Sequence, residues 1–507
     1  MQQHLLSLLE DASLNPLEAS FALRLDALLG PCRREAFHLP VQPATGQPLV
    51  YLCGNSLGLQ PKRSAGCITE ELSKWGALGV EGHFTAPRPW VSIDECVSPG
   101  LAALAGALPS EVVPMNTLSG NLHTLLCSFY RPSGRRTRIL MEEGAFPSDA
   151  HIAQSQAALH GLDPAATLLR LPSTRSTAEV VAAIQAAGDT LALVLLPGVQ
   201  YYTGQLLDIA AITAAAAGVG AVAGWDLAHA MGNAPLQLHA WGVDFAVWCS
   251  YKYLNAGPGA IGGVFVHERH GAGGAGARPR LAGWWGHTKG DRFDMREDFV
   301  ASPGAQGYQL SNPCVLSIAA LRGSLEEFEA AGGVPALRQR SSELTGYLQL
   351  CLCLSGLFVP FEDRDQERAA NTGLILTPSS PLERGCQLSL QVPQLSGCPT
   401  LDGLCKCLRE DGVIVDERKV RGGEGALPGW GGQQEPACAY VGSLPCFPPL
   451  LHTHTLPHPR AFCSLLSYAC PLRPFTIQLP MSCTFARPTA GHSSGALRRA
   501  SCTRQPD

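Results

Sequence analysis

Two residues that could act together in catalysis follow apolar runs in the middle of the chain. Asp226 ends the run VGAVAGWD, and Lys252 follows DFAVWCSY. A carboxylate at the end of a buried strand is costly unless a cation or a hydrogen-bond donor meets it. A lysine enclosed by aromatic residues and a glycine-rich turn can lose its proton through burial and form a Schiff base. The pair predicts a pyridoxal phosphate site, with Asp226 on the pyridinium nitrogen and Lys252 on the aldehyde.

Both residues also have an ordinary structural interpretation. Asp226 could cap the N-terminus of a helix, with His229 on the first turn. A lysine at the end of a strand is usually solvated. Spacing alone leaves these alternatives open.

The stretch after Lys252 also matches a dinucleotide-binding fingerprint. Gly257, Gly259 and Gly262 have the spacing GxGxxG. They run from a turn into the apolar strand AIGGVFV, whereas the fingerprint leads from a strand into a helix. We therefore reject a dinucleotide site and interpret these glycines as positions where the backbone approaches a ligand closely.

The candidate residues need a sheet whose strand ends converge, and the chain between about 135 and 270 has the corresponding pattern. Short apolar runs alternate with the helical segments 148–160 and 208–217, which indicates βαβ units and a mostly parallel sheet. Ligands of such sheets bind beyond the carboxyl ends of the strands. The predicted strands are RTRILMEE, TLALVLLP, VGAVAGWDL, VDFAVWCS and AIGGVFVHE.

The fold class predicted from these elements is α/β, with a smaller α+β domain after the sheet. A helix over 313–329 leads into two glycines, and a mixed stretch follows to about residue 419. The predicted regions are an N-terminal helical segment (1–50), a large cofactor-binding domain (51–330), a small and incomplete C-terminal domain (331–419) and a tail (420–507).

The tail differs in composition from the rest of the chain. Residues 420–507 hold 12 of the 39 prolines and 7 Arg against 3 acidic residues, a net charge of +4. The other 419 residues carry 30 basic and 39 acidic residues, a net charge of −9. We predict that the tail is poorly ordered, belongs to no domain and derives from non-coding or alternatively spliced sequence. We interpret the histidines of its HTHTLPHP stretch as part of a low-complexity sequence and not as a metal site.

Composition excludes several classes of protein. The 507 residues are too many for a disulfide-stapled module, and 46% hydrophobic residues argue against disorder over most of the length. A net charge of −5 without a dense basic patch argues against nucleic-acid binding. No secretory signal or membrane-spanning run is predicted. We expect a cytosolic protein whose 19 cysteines are free thiols, with no metal site.

A series of motifs resembles the kynureninase family. In chain order they are YLCGNSLGLQPK, MNTLSGNLH, GAFPSDAH, YYTGQLLDI, WDLAHAMGN, WGVDFAVWCSYKYLNAGPG, GWWGH and LSNP, over roughly residues 15 to 419. The resemblance implies a fold-type-I pyridoxal phosphate enzyme of tryptophan catabolism and NAD biosynthesis, with the aspartate aminotransferase-like fold. It implies a homodimer with shared active sites. The implied reaction hydrolyses L-kynurenine or 3-hydroxy-L-kynurenine to anthranilate or 3-hydroxyanthranilate plus L-alanine.

The resemblance also implies roles for individual residues. Lys252 carries the cofactor, Asp226 pairs with its ring nitrogen and Tyr251 is the general acid. Trp284 and Asn312 would come from the partner subunit. The implied cofactor-binding residues are Leu118, Ser119, Phe146, Pro147, Ser148, Asp149, Asp226, His229, Tyr251, Lys252, Trp284 and Asn312. The implied substrate-binding residues are Ser56, His83 and Asn312.

The chain departs from the family pattern at two places. Pro197 stands at a strand end where family members carry a serine, and proline offers neither a hydroxyl nor an amide hydrogen. After GVIVDERKV the family continues into a segment whose arginine binds the substrate's α-carboxylate, and this chain has no matching segment. Two alternatives stay open. One is a form that binds the cofactor or dimerises without turnover, and the other is a different fold-type-I enzyme such as a cysteine desulfurase.

Overall fold

Helices and short strands alternate along the chain, as the apolar runs predict. The computed structural model describes residues 2–172, 176–271, 277–364, 372–392, 401–419 and 437–441. The helices are α1 (Gln3–Leu9), α2 (Ala19–Leu29), α3 (Lys62–Leu78), α4 (Ser98–Ala105), α5 (Leu118–Phe129), α6 (Pro147–Leu159), α7 (Pro164–Thr167), α8 (Thr177–Ala187), α9 (Ile209–Gly218), α10 (Val315–Ala330), α11 (Gly333–Leu354) and α12 (Leu401–Glu410). The strands are β1 (Phe37–His38), β2 (Val50–Tyr51), β3 (Gln60–Pro61), β4 (Val112–Pro114), β5 (Arg138–Glu142), β6 (Leu168–Leu171), β7 (Leu191–Pro197), β8 (Val222–Asp226), β9 (Phe245–Trp248), β10 (Gly263–Val266), β11 (Phe358–Pro360), β12 (Gly373–Ile375), β13 (Leu388–Gln391), β14 (Val413–Ile414), β15 (Asp416–Lys419) and β16 (Ala437–Val441).

A seven-stranded sheet forms the centre of the larger part of the fold. Its strand order is β4-β10-β9-β8-β7-β5-β6. The strands from β5 to β9 pair in parallel, while β10 pairs antiparallel with both β4 and β9. All five apolar runs singled out in the sequence are strands of this sheet. The predicted α/β fold with a mostly parallel sheet is confirmed.

The helices predicted beside the sheet form with ends shifted by one or two residues. α6 begins at Pro147, because the fixed backbone angle of proline suits the first helical position. α9 begins after Asp208, whose carboxylate accepts the N–H of Ala211 at 2.9 Å and caps the helix. α10 covers Val315–Ala330. The helices α6 and α9 return the chain so that successive parallel strands end at the same edge of the sheet.

Apolar side chains bury the large sheet on both faces. Trp225, Trp248 and Phe265 belong to one core, while Phe245 and Val264 belong to another. Neighbouring residues of one strand thus go to opposite faces, as expected for strands covered on both sides. Burying a large apolar side chain contributes about 1.5–3 kcal/mol. The strands are therefore held firmly in position, and so are the residues at their carboxyl ends.

A smaller sheet forms a second centre of packing, with strand order β11-β12-β13-β16-β15. Its core includes Ile375 and Leu388 from the strands and Leu404 from α12. The strands β14 and β2 pair in parallel beside it, so the segment near residue 50 packs with this part of the chain. All described elements lie in one compact unit, Met1–Leu472. The domain boundaries at residues 50, 330 and 419 stay predictions.

One strand lies in a segment for which the sequence predicted no element. The strand β16 pairs antiparallel with β13 on one side and with β15 on the other. Backbone N–H and C=O groups inside a sheet need partners, and β16 supplies them to both neighbouring strands. The expectation that nothing after residue 420 joins a domain is therefore corrected for Ala437–Val441. The other residues of the tail, with the HTHTLPHP histidines, lie outside the described residues.

A polar cluster occupies the end of the large sheet opposite to Asp226. Glu111 immediately precedes β4. Its buried carboxylate accepts the N–H groups of Leu108 and Glu268 at 2.9 and 2.8 Å and lies 3.0 Å from Nδ1 of His239. Burial acts to raise the pKa of Glu111, but these hydrogen bonds outweigh burial and lower the pKa. The cluster fastens the ends of β4 and β10 together, away from the candidate site.

The sequence predicted no membrane-spanning run and predicted that the cysteines are free thiols. Within the described ranges, the helices are too short or too polar to cross a membrane. The closely spaced Cys351 and Cys353 and the buried Cys405 carry thiols and form no disulfides.

Candidate active site

The carboxyl ends of neighbouring parallel strands surround one cavity. The strand β8 ends at Asp226, β7 at Pro197 and β5 at Glu142, and the loop after β9 carries Lys252. All four residues line the cavity, and Pro197 pairs with Asp226 across the two central strands. Parallel α/β sheets bind their ligands at this edge. The structure thus brings together the aspartate and the lysine that the sequence singled out.

The amine of Lys252 is in contact with a buried histidine. Lys252 Nζ lies 2.8 Å from Nε2 of His229 and 5.7 Å from the centre of the Phe146 ring. Burial, with the positive charges of Lys252 and Arg418, lowers the pKa of His229 well below its ordinary value. The imidazole is therefore neutral at neutral pH, and its Nε2 can exchange a proton with the amine. Nδ1 of the same ring is buried and has no hydrogen-bond partner among the described residues.

Two aspartates form a coupled pair beside the lysine. Asp226 is 7% exposed, and its Oδ1 accepts the N–H of Ala228 at 2.7 Å. The residues that follow form turns, so Asp226 caps a turn and not a helix. Asp149 is buried, and within the described part of the chain its Oδ1 has no hydrogen-bond partner. Burial together with the negative charge of Asp226 raises the pKa of Asp149 well above the ordinary value. Because two such close carboxyl groups cannot both ionise easily, Asp149 keeps its proton to a higher pH than an ordinary aspartate does.

A third buried carboxyl group, Glu142, belongs to the same cavity and was not predicted. Its Oε1 accepts a hydrogen bond from Nε2 of Gln200 at 3.2 Å. Burial first, and then the negative charge of Asp226, raises the pKa of Glu142 to about 8. The sequence held a usable signal, because Glu142 ends an apolar strand in the same way as Asp226 does.

Two helix N-termini and two hydroxyl groups form one corner of the cavity. The helix α5 begins at Leu118 and α6 begins at Pro147. The Oγ atoms of Ser119 and Ser148 lie 2.6 Å apart between them. The first N–H groups of a helix lack partners within the helix, and the helix dipole favours an anion there. The corner therefore fits a phosphate group. Pro147 starts its helix without lining the cavity.

A glycine of the GNSLG motif allows another loop to pack directly on the lysine loop. Gly58 donates its N–H to the carbonyl oxygen of Tyr251 at 2.8 Å. A Cβ atom on Gly58 would overlap the carbonyl oxygen of Lys252 and lie 2.9 Å from Cα of Asn255. Any larger residue would displace the lysine backbone, so this position needs glycine. The GxGxxG stretch that follows runs from a turn into β10, as predicted.

Two tyrosines complete the cavity wall. Burial raises the pKa of the hydroxyls of Tyr251 and Tyr201, so both keep their protons well above neutral pH. The ring of Tyr201 meets the ring of Phe146 edge-on, with 5.3 Å between the ring centres. The sequence predicted Tyr251 and missed Tyr201.

Besides Pro147, four of the predicted residues do not line this cavity. Ser56 lies on the loop of the GNSLG motif, and the ring of His83 packs edge-on against Trp90 at 5.3 Å. Trp284 is 48% exposed, and Asn312 is also exposed. Exposure is compatible with a contribution to a neighbouring subunit's site, which the resemblance implies. The roles of these four residues stay predictions.

An arginine from the smaller sheet also acts on the cavity and was missed. Arg418 lies on β15, and its Nη2 donates to Oδ2 of Asp416 at 2.7 Å. Its positive charge helps keep His229 neutral and opposes the rise in the pKa of Tyr201. The local sequence gives no sign that Arg418 lies near the lysine loop. The pairing of β14 with β2 brings these distant segments together.

These groups fit pyridoxal phosphate. Asp226 can face the ring nitrogen, Phe146 can cover the ring, the Ser119 corner can bind the phosphate, and Lys252 can reach the aldehyde. Asp149 and His229 both line this cavity. Oδ1 of Asp149 and Nδ1 of His229 are buried and have no hydrogen-bond partner in the part of the chain that the structure describes. A polar cofactor would satisfy such atoms, which otherwise cost free energy.

Two kinds of sequence comparison match this chain. A family model described as Aminotransferase class-V matches residues 165–368. A kynureninase of Xanthomonas campestris pv. campestris (strain B100) is 49% identical over 412 residues, covering 80% of this chain and 92% of the relative. A kynureninase of Eremothecium gossypii is 50% identical over 405 residues, covering 76% of this chain and 89% of the relative.

Solved structures match the fold at lower identity. The apo cysteine desulfurase of Thermococcus onnurineus NA1 aligns with a TM-score of 0.58 at 17% identity, covering 73% of this chain and 84% of that one. The cystine C-S lyase C-DES, in complex with its reaction product cysteine persulfide, aligns with a TM-score of 0.58 at 19% identity, covering 78% and 92%. At these identities the matches support the fold-type-I expectation and carry no argument about the substrate.

Proposed function

This chain belongs to the kynureninase family, and on that premise we propose how its own residues carry out the family reaction. The reaction is hydrolysis of L-kynurenine or its 3-hydroxy form to anthranilate or 3-hydroxyanthranilate plus L-alanine, with pyridoxal phosphate as cofactor. The observation that carries the proposal is the contact between Lys252 and the neutral His229, at 2.8 Å, beside the Asp226 carboxylate. The match to 92% of a kynureninase at 49% identity supports the substrate class.

The residues of the cavity would hold the cofactor by three kinds of contact. Asp226, which ends β8 inside the cavity, would accept a hydrogen bond from the protonated ring nitrogen. Phe146 would cover one face of the ring. The first turns of α5 and α6, with Ser119 and Ser148, would bind the phosphate. The bound cofactor would supply an electron sink for negative charge on the substrate's carbons.

Lys252 and His229 move the proton at the substrate's α-carbon. The freed amine of Lys252 takes this proton, since a neutral amine is a competent base. His229 keeps its Nε2 at hydrogen-bond distance from Nζ and stays uncharged at neutral pH. It therefore orients the amine without competing with it as a second cation.

Tyr251 supplies the proton at the substrate's β-carbon after the carbon–carbon bond breaks. Burial raises the pKa of its hydroxyl, so the group is protonated at the start of this step. A general acid in this state contributes about 10²–10⁴-fold to a rate. Its backbone carbonyl is held by Gly58, which fixes the loop.

The proposed function is tested by offering two substrates to the purified full-length chain with added pyridoxal phosphate. We expect L-kynurenine to give equal amounts of anthranilate and alanine, measured by fluorescence and by amino-acid analysis. L-cysteine should give no alanine. Alanine from L-cysteine without anthranilate from L-kynurenine would favour the cysteine desulfurase alternative and contradict the proposal.

Arg418 is the residue that we propose to meet the substrate's α-carboxylate. The family segment with the carboxylate-binding arginine has no counterpart in this sequence. Arg418 approaches from β15, and its charge reaches both His229 and Tyr201 at the cavity. Asp416 holds the guanidinium at 2.7 Å and so restricts its motion.

We expect the substitution Arg418→Gln to raise KM for L-kynurenine about 10- to 100-fold, the value of one charged hydrogen bond. The value of kcat should change much less, because the proton-transfer groups remain. The matched control is Arg409→Gln, which removes an exposed arginine of α12. Steady-state kinetics of both variants test this, and an unchanged KM in Arg418→Gln would assign the carboxylate to another group.

We also propose that two chains share their active sites in a homodimer. Trp284 and Asn312 are exposed in the single chain and do not line its own cavity. A two-fold dimer would place each of them near the other subunit's cavity.

Complementation between variants tests the shared site. Lys252→Ala and Asn312→Ala should each be inactive alone. Coexpressed in equal amounts, they should recover about one quarter of wild-type activity, because half of the dimers then carry one intact site out of two. Activity no higher than that of the separate variants would indicate that Asn312 serves its own chain or no site.

A further inference from the structure

Glu142 is a buried carboxyl group of the active-site cavity without a role in the mechanism above. It ends β5, and Asp226 ends β8, with β7 between these two strands. Both residues line the same cavity, and Glu142 is 5% exposed. A carboxyl group in such a place needs either a compensating partner or its own proton.

The partner of Glu142 is an amide whose orientation is fixed. Oε1 of Gln200 accepts the backbone N–H groups of Tyr202 and Thr203 at 2.6 and 2.7 Å. Because backbone N–H groups can only donate, the atom that they meet is the oxygen of Gln200. Its NH₂ group must therefore point at Oε1 of Glu142, at 3.2 Å. Gln200 itself is buried.

The charged and titratable groups around Glu142 come from four elements. The groups that line the cavity with Glu142 are Asp226 and His229 at and after the end of β8, Asp149 on α6, Tyr201 after β7, and Tyr251 and Lys252 after β9. Burial raises the pKa of Glu142 to about 8, the negative charge of Asp226 adds to this rise, and the amide of Gln200 opposes it. Glu142 is therefore mostly protonated at neutral pH and ionises just above it.

We propose that Glu142 is a positioning residue that acts as a neutral carboxylic acid and leaves Asp226 as the carboxylate that the cofactor's ring nitrogen meets. The inference rests on the proposed function, since it concerns the cofactor site. An ionised Glu142 would add a further negative charge beside Asp226 and Asp149 and would favour protonation of these carboxyl groups. The amide of Gln200 holds the neutral acid in place without giving it a positive partner.

Cofactor binding at pH 7 provides the first test. Apoprotein variants are titrated with pyridoxal phosphate, and the dissociation constant is measured from protein fluorescence. Glu142→Gln has the same shape and no charge, and its oxygen can still accept from Gln200, so we expect a change within about twofold. Glu142→Ala leaves the Gln200 amide unpaired and should weaken binding about tenfold. The control is Glu143→Gln, the exposed neighbour.

The pH dependence of the bound cofactor's visible absorption provides the second test, on wild type and Glu142→Gln. The two spectra should coincide below pH 7. Above pH 8 the wild-type protein carries an added negative charge, which stabilises cationic forms of the cofactor. Its alkaline midpoint should therefore lie about half a unit or more above that of Glu142→Gln.

Two results would overturn the inference. If Glu142→Gln weakened cofactor binding as much as Glu142→Ala at pH 7, Glu142 would act as an anion. If the two absorption titrations had the same midpoint, its ionisation would not reach the cofactor. Either result could occur in a protein that turns over L-kynurenine normally. Failure of the proposed function would instead appear as a wild-type chain that binds the cofactor and releases no anthranilate.

Discussion

Replacement of Lys252 by alanine is expected to remove kynurenine turnover and to change the cofactor's visible absorption. In the proposed mechanism the lysine amine both attaches the cofactor and carries the proton of the α-carbon, so no neighbouring group could take over its two tasks. His229 is neutral and buried against this amine and has no primary amine of its own. We expect the rate to fall at least about 10³-fold, within the range for loss of a proton-transfer group.

Anthranilate fluorescence and the absorption of dialysed protein measure these effects. Lys406→Ala is the matched control, because it removes an exposed lysine of α12 far from the lysine loop in sequence. This control should keep both the absorption band and the rate. A Lys252→Ala protein with wild-type turnover would contradict the assignment of the site.

Replacement of Asp226 by asparagine is expected to produce the second-largest loss. Asparagine keeps the shape and can still accept the N–H of Ala228, which meets Oδ1 at 2.7 Å in the present chain. In the proposed site it could not hold the ring nitrogen in its protonated form, so the cofactor would stabilise negative charge less well. We expect kcat/KM to fall about 10²- to 10⁴-fold and cofactor affinity to fall with it.

The Asp226→Asn variant also tests the coupling within the carboxyl pair. The negative charge of Asp226 is one cause of the raised pKa of Asp149, after burial. In the variant the pKa of Asp149 should therefore decrease, and the pH profile of the residual activity should shift to lower pH. Asp189→Asn, at an exposed ion pair with Arg135, is the control. Equal activity of Asp226→Asn and wild type would remove Asp226 from the mechanism.

The architecture of the large sheet could be predicted because each strand is a nearly continuous apolar run. VDFAVWCS and TLALVLLP are buried on both faces, which is the pattern that parallel strands require. The short β4 and β6 were missed, since Val112–Pro114 and Leu168–Leu171 are brief and flanked by helices. The strand β16 was missed because its surroundings resemble a low-complexity tail, and only its pairing with β13 and β15 gives it a place.

The chemistry at the strand ends could be predicted where a residue follows an apolar run. Asp226 and Lys252 were found by this rule, and Glu142 satisfies the same rule although it was not singled out. The contributions of Tyr201 and Arg418 depend on contacts between distant segments. Tyr201 meets Phe146 from another segment, and the pairing of β14 with β2 brings the segment of Arg418 close to the site. Local sequence carries no signal for such contacts.

The proline at the end of β7 is a departure whose surroundings the structure describes. Pro197 lies between the strands of Asp226 and Glu142 and pairs with Asp226. It offers no donor to the cavity. Three residues later, Gln200 brings an amide donor to Glu142 at 3.2 Å. A polar contact at this strand end is therefore present in the chain, supplied from a different position.

The most direct test of the central claim is turnover per bound cofactor in the full-length chain of 507 residues. The protein is saturated with pyridoxal phosphate, the bound cofactor is quantified by absorption, and anthranilate released from L-kynurenine is followed over time. We expect many equivalents of anthranilate for each bound cofactor, matched by alanine. A protein that binds the cofactor fully and releases less than one equivalent would contradict this expectation, and would identify a cofactor-binding form without turnover.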